Sequence, residues 1–173
     1  DSSGETWLYS EDNTSSVTIT NSSFDRNGGD FAYGSLGIVN KGAVTLQGVT
    51  ISDNDYGLLI KGASNVKIKN SVINNNSNSG TNAVRLGESG EPLTGNVLLD
   101  NLVINGNGAG GLDIFTSGNI TANSLKIYGN ASFGGRFDTC GTESNCYPLY
   151  NGKVTISNST FDDNGSSEML RIY

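Results

Sequence analysis

Histidine is absent from all 173 residues, and the chain holds only two cysteines, two prolines and one methionine. Without histidine the commonest base for proton transfer near neutral pH is missing. No apolar run approaches the length of a membrane span, and no signal-peptide pattern opens the chain, so no membrane insertion is expected. Asp1 is read either as following a cleaved signal or as a cut from something larger. The strong helix formers Ala, Leu, Glu, Lys and Gln are sparse. Positive charge is scarce too. Ten Lys and Arg stand against seventeen Asp and Glu, a net charge of -7, which argues against nucleic acid or an anionic membrane as partner. A neutral or cationic glycan surface is compatible with it.

Glycine (24 residues) and asparagine (23 residues) are abundant instead. Both tolerate tight turns and the left-handed backbone region, so the composition predicts many short strands joined by many turns. At 35% apolar and 16% charged the chain is neither disordered nor membrane-like, and its length suits a single domain over residues 1–173. The cysteines lie in CGTESNC, Cys140 to Cys146. A close pair in a polar stretch predicts a small disulfide and an oxidising compartment; a metal site there is the rival and would need carboxylate help.

One pattern recurs six times: VTITNSSFDRN from Val17, VTLQGVTISDN from Val44, VKIKNSVINNN from Val66, VLLDNLVINGN from Val97, ITANSLKIYGN from Ile120 and VTISNSTFDDN from Val154. The first column is Val or Ile throughout. The third is Ile19, Leu46, Ile68, Leu99, Ala122 and Ile156, so period-two alternation puts both columns on one strand face. The eighth is Phe24, Ile51, Ile73, Ile104, Ile127 and Phe161, and a change of direction is expected between them at Asn21, Gly48, Asn70, Asn101, Ser124 and Asn158. The last column is asparagine every time: Asn27, Asn54, Asn76, Asn107, Asn130 and Asn164. Stacked amides bond to their own turn and to one another, so a structural ladder is expected. A third apolar strand follows, as in Gly57-Leu58-Leu59-Ile60 and Gly111-Leu112-Asp113-Ile114. Three strands at a basic period of about 22 residues specify an all-β parallel β-helix (β-solenoid) of about six full coils, with partial coils at its ends. Insertions are placed at about 28–35, 77–83, 87–95 and 138–151.

These segments resemble the repeats of right-handed parallel β-helix proteins, the pectate-lyase-like superfamily, over almost the whole chain. Phe-x-x-Asn at Phe24 to Asn27 and Phe161 to Asn164, with Gly-Gly soon after the first, is similar to polymorphic outer-membrane proteins and related surface adhesins. The other coils put Ile before the Asn, and a regular Gly-Gly-Ala-Ile never occurs. The pectate-lyase-like resemblance implies Asp ligands for Ca²⁺ and an Arg or Lys base on adjacent coils.

The best match to that implication lies on the third strand: Arg85, Asp113, Arg136 and Asp138. Phe115, Tyr128 and Phe133 are candidates for stacking on sugar rings, which with Arg85, Asp113 and Arg136 makes a ligand-binding set. The competing reading is a cross-strand charge pair with no chemistry. For calcium, Asp53 and Asp55 with Asn54, and Asp162 and Asp163 with Asn164, supply dense oxygens. No other cofactor is expected. An ice-binding Thr array at Thr18, Thr45, Thr121 and Thr155 is broken by Lys67, Lys69, Leu98 and Asp100. Sequons at Asn13, Asn21, Asn75, Asn119, Asn130, Asn158 and Asn164 are read as by-products of turn composition.

The sequence therefore predicts a non-enzymatic extracellular, secreted or cell-surface β-helix domain, a structural shaft or glycan-adhesive surface. Its expected partners are a polysaccharide, a host or neighbouring cell surface, and the rest of a longer solenoid from which this chain is a fragment. The alternative is a polysaccharide lyase or glycoside hydrolase with Arg85, Asp113, Arg136 and Asp138 in its groove.

Overall fold

The computed structural model describes residues 6–10, 15–28, 35–139, 152–165 and 169–173. Cys140 and Cys146, and with them the expected disulfide, lie outside the described residues. The regular elements are strands: β1 (Thr6–Ser10), β2 (Val17–Thr20), β3 (Ser23–Asp25), β4 (Leu36–Asn40), β5 (Ala43–Gln47), β6 (Thr50–Ser52), β7 (Leu58–Lys61) and β8 (Asn65–Asn74). They continue with β9 (Val84–Leu86), β10 (Val97–Asn105), β11 (Leu112–Phe115), β12 (Ile120–Tyr128), β13 (Gly135–Asp138), β14 (Val154–Ser157), β15 (Thr160–Asp162) and β16 (Leu170–Ile172).

All strand pairings are parallel, and their register reproduces the columns read from the sequence. Val17 pairs with Val44, Val44 with Val66, Val66 with Val97, Val97 with Ile120 and Ile120 with Val154. The Phe24, Ile51, Ile73, Ile104, Ile127, Phe161 column is likewise continuous. These strands form a nine-stranded sheet that holds both the first and second strands of each repeat. A seven-stranded sheet, in the order β1-β4-β7-β9-β11-β13-β16, holds the third. Between the sheets lies a core of Val, Ile and Leu such as Val66, Ile68, Ile73, Leu86, Leu99, Ile104 and Ile114. Each such side chain contributes about 1.5–3 kcal/mol when fully buried.

The expected changes of direction occur where they were placed. Asn21, Gly48, Asn70, Asn101, Ser124 and Asn158 all have φ between 49 and 64°. This is the left-handed region, open to Gly and tolerated by Asn. In β8, β10 and β12 the hydrogen bonding runs on through this bend, so two short strands merge into one. A second left-handed column, Arg26, Asp53, Asn75, Gly106, Gly129 and Asp163, sits one residue before the ladder asparagines.

The ladder itself is buried. Nδ2 donates to Oδ1 of the next coil from Asn54 to Asn76 (3.0 Å), Asn76 to Asn107 (2.9 Å), Asn107 to Asn130 (2.8 Å) and Asn130 to Asn164 (2.9 Å). The backbone N–H of each donor residue reaches the same Oδ1. Nδ2 also donates backwards to the column-eight carbonyl of the preceding coil, for example from Asn130 to Ile104 (3.1 Å). Asn27 departs from the expectation: it joins through its backbone N–H alone, at 2.8 Å from Asn54 Oδ1. Among the described residues its side chain has no column-eight carbonyl of a preceding coil to donate to.

Candidate functional site

The outward column of the seven-stranded sheet carries the charged residues singled out in the sequence. Trp7, Gly37, Leu59, Arg85, Asp113, Arg136 and Arg171 are in register from strand to strand. Inward neighbours such as Leu112 and Ile114 belong to the core, so alternation turns Asp113 and Phe115 outward. Outward here does not mean open, because every residue of β11 is buried and Asp113 is only 2% exposed.

Asp113 is held from two sides. Arg136 clamps it with two bonds, Nε to Oδ1 at 2.8 Å and Nη2 to Oδ2 at 3.1 Å. Asn82, from the stretch before β9, donates Nδ2 to Oδ2 at 2.9 Å. Burial pushes the Asp113 carboxyl above its usual range against the pull of the Arg136 guanidinium. The same guanidinium lies over the Phe115 ring, 4.3 Å from its centroid. A Cβ at Gly110 would meet Asn82 and Phe133, so Gly110 leaves room for both side chains just before β11.

Arg85 stands beside Asp113 in register but is drawn elsewhere. Its Nη1 pairs with Glu88 Oε1 at 3.3 Å, and Lys61 takes Glu88 Oε2 at 2.8 Å. Glu88 sits in the 87–95 insertion, where Glu88 and Glu91 form an antiparallel bridge. That insertion is anchored rather than free-standing: Leu93 is fully buried in the core and bridges Thr116. Arg85 Nε is buried and has no hydrogen-bond partner.

The structure therefore brings Arg85, Asp113, Phe115 and Arg136 together with Phe133 at the border, and it separates Tyr128 from them. Tyr128 ends β12 on the nine-stranded sheet and is 43% exposed there. Phe115, expected to stack on sugar, is fully buried with Arg136 on its face, so its ring is already occupied. Of the two arginines in register with Asp113 it is Arg136 that pairs with it, while Arg85 pairs with Glu88. Asp138 is buried beside Phe115 in register.

At the two acidic clusters, Asp53 and Asp163 occupy left-handed turn positions, and Asp162 Oδ1 accepts the Asp163 N–H at 2.9 Å. Among the described residues no three Asp, Glu, His or Cys side chains converge as a metal site. Asn82 and Glu88 were not singled out in the sequence; both sit in insertions, off the repeat columns. A second ladder was also missed. Asn65, Asn96 and Asn119 each accept from the next coil's backbone N–H, at 3.0, 2.9 and 2.8 Å. Its signal was legible as Asn directly before column one in three successive coils.

A family model described as the right handed beta helix region matches residues 2–88 and, in a second match, 36–171. The chain belongs to the right-handed β-helix family. That membership agrees with the parallel pairing throughout and with the right-handed rule for parallel crossovers. Comparisons with the curated proteins and with the solved structures returned no match. No helix among the described residues of this β-helix is long and apolar enough to cross a membrane.

Proposed function

We propose that this β-helix is a non-enzymatic extracellular domain, a shaft whose seven-stranded face contacts glycans. The carrying observation is the state of Asp113. Its two oxygens accept three hydrogen bonds from Arg136 and Asn82, and its side chain is 3% exposed. A carboxylate used this way is part of the architecture; a general base needs an oxygen within reach of substrate. Glycan contact is assigned to the half-exposed residues at this face and its border, the Arg85 guanidinium and the Phe133 ring. The test is a glycan array run beside an assay for unsaturated or reducing-end products on polysaccharides. The expected result is retention without product, lost in Arg85→Ala and Phe133→Ala. Product release that disappears in Asp113→Ala would overturn the reading in favour of a lyase or hydrolase. Neither binding nor product would leave the shaft role alone.

A further inference from the structure

The seven-stranded face carries a carboxylate that the repeat does not account for. Glu88 lies off the columns, in the 87–95 insertion, yet its two oxygens meet cations from two neighbouring strands. Lys61 Nζ of β7 stands 2.8 Å from Oε2, and Arg85 Nη1 of β9 stands 3.3 Å from Oε1. The backbone on both sides of Glu88 is fixed. Gly87 N–H donates to the Ile60 carbonyl at 2.8 Å, and the Glu88 and Glu91 N–H groups each bond the other's carbonyl. Leu93, fully buried, donates its N–H to the Phe115 carbonyl at 2.9 Å. Gly87 has a φ of 73°, and a Cβ there would collide with the same Phe115 carbonyl, so glycine is required where the chain turns into the insertion.

Charge on the middle of this face is therefore closed internally. Of the cations on β7, β9 and β13, Lys61 and Arg85 share Glu88, and Arg136 is on Asp113. The side chains of Lys61, Arg85 and Glu88 are between 24 and 31% exposed, so an incoming ligand meets them. A carboxylate between an ammonium and a guanidinium on adjacent strands is also how an acidic sugar would be held. Glu88 is already in that place. As a tethered group it competes with any free anion at an effective concentration on the order of millimolar. A displaced Glu88 would stay beside the incoming charge, and like charges brought together repel. The net charge of -7 adds to that repulsion. A sugar hydroxyl meets no such barrier: it accepts from the guanidinium or donates to the carboxylate with both ion pairs intact.

We propose that Glu88 is the specificity-determining residue of this face: by occupying the Lys61–Arg85 cation pair it turns away anionic glycans and leaves the face to neutral ones. The inference rests on the glycan-contact reading for its ligand, and the part played by Glu88 is measurable without it.

The experiment is affinity electrophoresis of the full chain in native gels containing dextran sulfate or dextran, its uncharged form, at one ionic strength. Wild type is expected to pass both unretarded. Glu88→Gln is expected to be retarded by dextran sulfate alone, binding about tenfold more tightly than wild type, the worth of one charge-assisted hydrogen bond. Glu88→Ala is expected to show the same gain, and Arg85→Ala added to Glu88→Gln is expected to abolish it. Glu91→Gln is the control: it removes the same charge from the same insertion, and Glu91 is exposed and pairs with no cation among the described residues. All variants are checked for an unchanged circular-dichroism spectrum. The proposal is overturned by a wild type that binds dextran sulfate as tightly as Glu88→Gln, by an equal gain in Glu91→Gln, or by a gain that survives Arg85→Ala. Acidic glycans retained by wild type on the glycan array likewise overturn the role of Glu88 while upholding glycan contact. An array that retains nothing removes glycan contact instead, and the dextran sulfate gels still decide what Glu88 does.

Discussion

Asn107→Ala isolates what the ladder contributes. Asn107 is 3% exposed, and its side chain accepts from Asn76 through both N–H (3.0 Å) and Nδ2 (2.9 Å). It also donates to Asn130 Oδ1, Ile73 O and Asn105 O. Truncation removes the one acceptor that the Asn76 N–H has among the described residues, in a buried site, which costs about 2 kcal/mol for a stranded buried donor. Asn76 Nδ2 keeps its bond to the Ile51 carbonyl, so it is weakened rather than stranded. Losing the bonds from Asn107 Nδ2 adds about 2 kcal/mol, for about 4 kcal/mol in all. Asn27→Ala is the internal control, because that side chain takes no part in the ladder; it is expected to cost less than about 0.5 kcal/mol. In urea unfolding, with a slope of about 2 kcal/mol/M, Asn107→Ala is expected to lower the midpoint by about 2 M and Asn27→Ala hardly at all. Equal shifts in the two variants, or a shift below about 0.5 M for Asn107→Ala, refute the reasoning.

Other consequences are separately measurable. Asp113→Ala leaves Arg136 over Phe115 without its counter-ion and is expected to cost about 3 kcal/mol in thermal or chemical unfolding, with Asp113→Asn losing less because an amide still accepts. Gly48→Ala forces a Cβ into a left-handed site, 2.7 Å from Asn21 Oδ1, and is expected to cost about 1–2 kcal/mol, whereas Asn70→Gly in the same column is near neutral. The two perturbed carboxylates give opposite pH slopes. Bonding from Asn123 and then Lys69 lowers the Asp100 carboxyl, so its stabilisation is present above the unfolded value of about 3.9 and is lost as pH falls through the folded one. The wild-type advantage over Asp100→Asn is therefore expected to shrink on acidification. Asp113 is raised, so the advantage over Asp113→Asn is expected to be largest below about pH 3.9 and to shrink as pH rises through the folded value; unfolding at a series of pH values reads both.

The solenoid was legible because its information is periodic. A residue that repeats every coil meets copies of itself, so a column of Val, Ile or Asn states its own neighbours above and below. That is why the strand register, the changes of direction at Asn21 to Asn158 and the amide ladder from Asn54 to Asn164 followed from alignment of the segments alone. The same logic reached the outward column of Arg85, Asp113 and Arg136, and it stopped there. Two arginines flank Asp113 at equal register, and nothing in the repeat chooses between them. The choice comes from Glu88, which draws Arg85 away, and from Asn82, which helps to hold Asp113 beside Arg136.

By itself, then, the sequence determined the β-helix, its columns and its amide ladder, since each depends on contacts between equivalent residues at a fixed spacing. Only the tertiary structure decided which charges pair, that Asp113 and Phe115 are buried on the outer face, and that each ladder amide donates toward the C-terminal side. Those outcomes depend on side chains from insertions and on the direction of hydrogen bonds. Neither repeats with the coil, so no column records them.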